Sequence, residues 1–278
     1  MRSWRFRLVG KLWLMCDLYN GDCLEVMDRL IENNIKVDAI IADPPYGTTA
    51  CKWDSIIPFP EMWERLNKLI KPNGAIVLFG SEPFSSYLRM SNIKNYKYDW
   101  IWDKVRPSGF QIAKYRPMMR HELISVFCKN TLIYNRQMTK RENTVKEKVR
   151  ASSDSSPLKY NDGILRIYDT SNPQSILVFY KNTDGAYVHP TQKPVKLMEY
   201  LIKTYTNEKE TVLDFTMGSG TTGVACKQLN RDFIGIELDE KYFDIAEDRI
   251  NKAVRQFELF IPEKENTEIY QPELLGVM

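Results

Sequence analysis

The sequence predicts an α/β fold, with a seven-stranded, mostly parallel sheet covered by helices on both faces. Three observations carry this. Apolar strands alternate with amphipathic helices over most of the chain, the pattern of a parallel sheet. A strand, a glycine-rich turn and a helix start follow one another at residues 211–223. A second turn, Asp43-Pro44-Pro45-Tyr46, sits at the end of an apolar strand, the place where open α/β sheets carry their sites.

The elements are read in chain order. Residues 18–20 form a short strand ending at Gly21-Asp22, and Met27, Leu30 and Ile31 follow at helical spacing. Residues 37–42 are a strand. Residues 61–71 place Met62, Leu66, Leu69 and Ile70 on one face of a helix, which Pro72-Asn73-Gly74 stops. Residues 75–79 are a buried strand; 98–102 and 122–127 are further strands joined by a loop rich in Lys, Arg and Pro. Residues 129–188 break the pattern: they are polar, basic and rich in Ser, Asn and Asp, as in an inserted recognition region or a partly disordered one. Order resumes with a helix opened by Pro194, which lines up Val195, Met198, Leu201, Ile202 and Tyr205. Strands at 211–215 and 233–237 and helices at 221–229 and 240–254 complete the fold.

Composition narrows the class. The 278 residues carry a net charge of only +3, spread unevenly. Residues 129–150 hold seven Lys or Arg against two Glu, which suggests a polyanion partner, whereas 257–278 hold five Glu against one Lys. No apolar run is long enough to span a membrane. Five cysteines without a C-x-x-C pair, and only two histidines, argue against a structural metal site and a disulfide framework and fit a reducing cytoplasm. Residues 1–14 read as an upstream extension before a start at Met15, or else as a basic arm for DNA phosphates. The remaining divisions are 15–128 and 189–256, two halves of one domain, with 129–188 inserted and 257–278 an acidic tail.

The glycine turn suits a nucleoside cofactor. Gly218 and Gly220 let backbone approach a ligand closely. Ser219, Thr221 and Thr222 add hydroxyls beside the free N–H groups of a helix start, a place for an anionic group. About twenty residues on, Glu237 ends the next strand, where an acid holds both hydroxyls of a ribose. No Gly-Lys-Ser/Thr follows, so the turn is not a phosphate-cradling P-loop.

The proline turn suits an amino group. Neither Pro44 nor Pro45 can donate an N–H, so their carbonyls are free to accept. The Asp43 carboxylate and the Pro44 carbonyl can grip the two hydrogens of one –NH2, and Tyr46 offers a flat face for a base. The lone pair of an adenine or cytosine amine is delocalised into the ring. Two acceptors on its hydrogens pull the nitrogen towards tetrahedral geometry, so that it can attack a sulfonium methyl group in line. No strong base is required, since the nitrogen becomes acidic only as the methyl arrives; Asp43 takes that proton or passes it to water.

Together these segments resemble the N6-adenine/N4-cytosine DNA amino-methyltransferases, in the circularly permuted group whose proline turn precedes the glycine turn. The resemblance covers most of residues 16–250. It implies a Rossmann-like fold that uses S-adenosylmethionine, with Asp43, Pro44, Pro45 and Tyr46 as the catalytic motif. The segment from Tyr19 to Leu24 resembles the motif whose aspartate, here Asp22, binds the cofactor's adenine amine. His189-Pro190-Thr191-Gln192-Lys193-Pro194 resembles the segment lining its methionine end, with Lys193 a candidate for its carboxylate. Asp214, Thr216, Gly218, Ser219, Gly220 and Thr221 match the glycine motif, and Glu237 the ribose acid. The family usually has Asp-Pro-Phe before the glycines; here Asp214-Phe215-Thr216 moves the aromatic by one place and drops the proline. The resemblance further implies double-stranded DNA as substrate, a base flipped out of the helix, 129–188 as the target-recognition region, and often a homodimer. Lys104, Arg106, Lys114, Arg116 and Arg120 are candidate phosphate contacts, with solvated surface charge as the alternative for each.

Three other functions compete: N4-methylation of cytosine, methylation of RNA or protein, and a catalytically dead DNA-binding protein. Cytosine enzymes resembling this group more often carry Ser at the Asp43 position, which favours adenine. RNA and protein enzymes usually place the glycine motif first, and every residue the chemistry needs is present. Methylation at ring carbon 5 needs a cysteine nucleophile in a Pro-Cys pair, which is lacking, so Cys51 is incidental. His121 and His189 are expected to be structural, and Trp53 is the tryptophan placed to face DNA.

Overall fold

The computed structural model describes residues 3–5, 15–47, 55–148, 165–181 and 192–254. Cys51, Trp53, His189, Pro190, Thr191, most of residues 1–14 and the acidic tail lie outside them. Chain order is β1 (Ser3–Arg5), β2 (Cys16–Asn20), α1 (Cys23–Glu32), β3 (Val37–Ala42), α2 (Phe59–Leu69), β4 (Ile70–Gly80), α3 (Phe84–Ser91), β5 (Tyr96–Ser108) and β6 (Met119–Phe127). It continues with β7 (Thr139–Lys148), β8 (Leu165–Ser171), β9 (Ile176–Val178), α4 (Val195–Tyr205), β10 (Thr211–Asp214), α5 (Thr221–Gln228), β11 (Asp232–Glu237) and α6 (Glu240–Lys252).

The main sheet runs β1-β2-β11-β10-β3-β4-β6-β5-β9. Its middle seven strands are those expected, and β1 and β9 extend the two edges. The five strands from β2 to β4 are mutually parallel. β6 then enters antiparallel to both β4 and β5. Side chains alternate across the sheet, as strand geometry requires. Ala39, Ile41, Ala75, Val77 and Phe79 join one core under α4, α5 and α6. Ile40, Ala42, Ile76 and Leu78 join a second core with α1, α2 and α3. Both faces of residues 39–42 of β3 and 75–79 of β4 are therefore buried, which is why these stretches read as unbroken apolar runs.

Two boundaries differ from the sequence reading. Helix α2 ends at Leu69, before Pro72-Asn73-Gly74, because Ile70 already adopts extended backbone and starts β4. The register between β3 and β4 then jumps from Val37↔Ile70 to Ala39↔Ala75, so the intervening residues bulge from the ladder. Three strands lie among the described residues of 129–188. β7 and β8 form an antiparallel ribbon. β9 returns to the main sheet beside β5, where the Trp102 indole donates to the Phe179 carbonyl (2.9 Å). Three residues of strand are too short to show a period.

Candidate active site at the C-terminal edge of the sheet

The parallel strands deliver four carboxylates to one edge. Asp43 follows the last residue of β3, Asp214 ends β10, Glu237 ends β11, and Asp22 follows β2 by two residues. Register aligns them: Leu213 pairs with Ile40, Asp214 with Gly235, and Glu237 with Asn20. Above this edge lies a cavity of about 450 Å³, large enough for a nucleoside-sized ligand. Its wall includes Asp22, Asp43, Pro44, Pro45, Tyr46, Lys193, Asp214, Thr216, Gly218, Ser219, Thr221 and Glu237.

Asp22, Glu237 and Asp214 each accept from nearby backbone amides. Asp22 caps α1, its Oδ1 accepting from the Leu24 (2.8 Å) and Glu25 (3.2 Å) amides. Glu237 ties the glycine turn to the next helix: Oε2 accepts from the Gly218 amide (2.8 Å) and Oε1 from the Asp239 amide (2.9 Å). Asp214 accepts from the Thr222 hydroxyl (2.5 Å) and the Thr216 amide (3.1 Å). Burial pushes the Glu237 carboxyl above the ordinary range and Asp214 up to about 7, in spite of these hydrogen bonds.

The two glycines do different things. Gly218 has φ +53° and puts its amide on Glu237. Gly220 (φ +75°) caps α5 and is absent from the cavity wall; a Cβ there would stand 2.8 Å from Ala246 Cβ. The glycine lets α5 approach α6 closely. Ser219 is likewise spoken for: Arg249, which the sequence reading missed, donates to its carbonyl (2.5 Å) and hydroxyl (2.9 Å). Phe215 is 1% exposed and packs with Leu213 and Ile234, so the displaced aromatic has gone largely into the core while still edging the cavity. Thr216 stands in its place, with a buried hydroxyl oxygen that has no hydrogen-bond partner.

At the proline turn, the Tyr46 hydroxyl donates to Asp43 Oδ1, and the Tyr46 ring leans on Phe84 with centroids 5.1 Å apart. Lys193 is 8% exposed. Its ammonium lies 2.5 Å from Asp43 Oδ2 and 3.3 Å from Glu122 Oε2. Lys193, expected to meet a cofactor carboxylate, lines the cavity and is held there by two carboxylates of the chain itself. Glu122 carries no motif and was not singled out from sequence.

The candidate phosphate contacts divide. Lys104 is 8% exposed and pairs with Glu122 (3.2 Å), so it faces the site's interior and not a DNA backbone. Arg120 is bound through both arms to Asp103 (2.8 Å each). Arg106, Lys114 and Arg116 are exposed, and none forms an ion pair among the described residues. They ride on a hairpin arm. β6 pairs Leu123 with Gly80, the last residue of β4, but begins four residues earlier, so the arm stands roughly 13 Å beyond the active-site edge. Its tip exposes Phe110 (80%) and Tyr115 (87%), and residues 104–121 contain no acid.

Among the described residues, no group of three or more His, Cys, Asp or Glu is placed to hold a metal ion, and no helix is long and apolar enough to cross a membrane.

Comparison with known proteins agrees with this geometry. The type II methyltransferase M.HpaI of Haemophilus parainfluenzae is 30% identical over 255 residues, covering 86% of this chain and 75% of that protein. The crystal structure of the M1.HpyAVI–SAM complex is 34% identical, with a TM-score of 0.57 over 84% of this chain and all of that one. The cytosine-N4-specific PvuII DNA methyltransferase shares the fold, with a TM-score of 0.60 over 84% of this chain and 86% of that one, at 17% identity. The DNA methylase family model matches residues 37–248, from the first residue of β3 into α6, and the chain belongs to this family of N6-adenine and N4-cytosine DNA methyltransferases, whose methyl donor is S-adenosylmethionine.

Proposed function

We propose that the chain methylates N6 of adenine in double-stranded DNA, after the base has left the helix. One observation carries this: the Asp43 turn opens into the same cavity as Asp22, Glu237 and the glycine turn, so an amine and a nucleoside cofactor can meet there. The residues present fit S-adenosylmethionine. Acids line the wall, as suits a cationic ligand; Glu237 is at the register for a ribose and Asp22 for an adenine amine; and the buried Thr216 hydroxyl lacks a partner. When bound, the cofactor supplies an electrophilic methyl group.

Asp43 and the Pro44 carbonyl hold the two amine hydrogens and turn the nitrogen lone pair towards that methyl. Tyr46 stacks on the base and, through its hydroxyl, keeps the carboxylate in orientation. As the N–C bond forms, the methyl–sulfur bond would break and leave a neutral thioether, while an N–H bond breaks and its proton passes to Asp43 or to water. Asp43, where cytosine enzymes of this kind more often have serine, favours adenine. The hairpin arm is the proposed phosphate contact, with Arg106, Lys114 and Arg116 carrying its charge. A reducing cytoplasm is the proposed compartment and a homodimer the proposed assembly.

Nucleoside mass spectrometry tests the base. The protein is expressed in a host lacking DNA methylation, with Asp43→Ala as control. N6-methyladenine above the control is expected. N4-methylcytosine instead would overturn the adenine assignment and keep the mechanism.

A further inference from the structure

Glu122 reaches the active-site edge from the opposite direction to every other acid there. It lies on antiparallel β6, next to Leu123, whose partner Gly80 ends β4. This brings it to Lys193, and a chain of alternating charge results: Lys104 to Glu122 (3.2 Å), Glu122 to Lys193 (3.3 Å), Lys193 to Asp43 (2.5 Å). The side chains of Lys104, Glu122, Lys193 and Asp43 are 9, 16, 9 and 21% exposed, so all four are largely removed from water. Two cations and two carboxylates cancel, as buried charge requires.

Neutrality does not explain the arrangement, because Lys193 and Asp43 alone would already be neutral. The second carboxylate divides the attention of Lys193. An ammonium held by Asp43 alone would make it a poor proton acceptor, and one held wholly by Glu122 would leave buried Asp43 free to protonate and stop gripping an amine. We propose that Glu122 is a positioning residue for methyl transfer: it shares Lys193 with Asp43, is itself anchored by Lys104, and thereby sets the basicity of the catalytic carboxylate. This rests on the assignment of Asp43 above. It also reassigns Lys193 from the cofactor's carboxylate to the catalytic one.

The other groups acting on Asp43 are the Tyr46 hydroxyl and, at longer range, Lys181 and Asp214. Electrostatics run in the same sense. Burial pushes Asp43 up, Lys193 opposes this, and Glu122 adds to it. Burial also pushes Glu122 up, but Lys193 and Lys104 outweigh it and hold it below the ordinary range.

The test is the pH dependence of kcat for transfer of a labelled methyl group from S-adenosylmethionine to genomic DNA from a methylation-free host. Glu122→Gln removes a negative charge, so the acid limb should move down by about half a pH unit to one unit. Lys104→Met removes the opposing positive charge and should move it up by a similar amount. Glu122→Asp should restore the wild-type profile, and KM for S-adenosylmethionine should stay within about threefold throughout. Equal loss of activity at every pH in both variants would mean a merely structural role and overturn the proposal. So would an unmoved limb with a tenfold higher KM for S-adenosylmethionine, since Lys193 would then serve the cofactor. Should Glu122→Gln not fold, as judged by thermal melting, Lys104→Met decides alone. A wild-type protein that labels no DNA would sink the function itself, and the proposal with it.

Discussion

Asp214 shows what a single residue contributes at this edge. It is 4% exposed, holds Thr222 and the Thr216 amide, and has its pKa raised by burial to about 7. An aspartate in the unfolded chain ionises near pH 4. Below that pH both states are protonated and the site costs nothing. Between pH 4 and 7 the unfolded chain ionises first, so stability falls as pH rises, and above 7 the loss is complete. Asp214→Asn should flatten this slope and raise the cofactor-free melting temperature at pH 8 relative to pH 5 by several degrees; an unchanged slope would remove Asp214 as its source. Glu237 acts differently, through the Gly218 amide as well as any ribose. Glu237→Ala should weaken S-adenosylmethionine binding at least tenfold in calorimetry, and unaltered affinity would displace it from the pocket. Most of these residues were legible because the strand ends and turn glycines that hold them are local in sequence. Glu122 and the inward turn of Lys104 were not, since the first depends on the pairing of β6 with β4, some forty-five residues apart, and the second on the pairing of β5 with β6, neither of which a local pattern records.

At the scale of the element, the hairpin arm is where sequence reading was half right. Five basic residues in one loop read as a phosphate surface, yet Lys104 is buried against Glu122 and the exposed Arg120 pairs with Asp103. The arm's base explains why. Its ladder is interrupted between Asp103 and Ser108, where Val105 takes φ +66°, and Asp103 pins both the Val105 amide and Arg120. Changing Arg106, Lys114 and Arg116 together to Ala should reduce the slope of log affinity for duplex DNA against log salt by about 2 to 3, and leave S-adenosylmethionine binding intact. A slope that stays the same would move the phosphate contacts elsewhere. Helix α5 offers a second check. Gly220→Ala places a Cβ at positive φ and 2.8 Å from Ala246, so it should cost at least about 1 kcal/mol in chemical denaturation.

Over the whole molecule, one sheet edge does the assembling. The proline turn and the glycine turn are about 170 residues apart in sequence, but β3 and β10 are direct neighbours. Parallel strands all present their C-terminal ends on one side, so acids at strand ends gather there by topology alone. That much follows from alternation of strands and helices together with two turn motifs, and the sheet confirmed it. The edge strands β1 and β9 were not legible, being three residues each and set by their partners rather than by a period. Nor was the β7–β8 ribbon, whose residues 139–148 are polar on both faces and lack alternation.

Asp43 is the group proposed to grip the amine. Its most direct test measures methyl transfer to unmethylated DNA by purified wild-type protein and by Asp43→Ala, with S-adenosylmethionine affinity determined on the same samples. Transfer should fall at least about a hundredfold while affinity changes by no more than a few-fold, the signature of an interaction made in the transition state. Retained transfer in Asp43→Ala, or loss of transfer explained entirely by lost cofactor binding, would contradict that assignment.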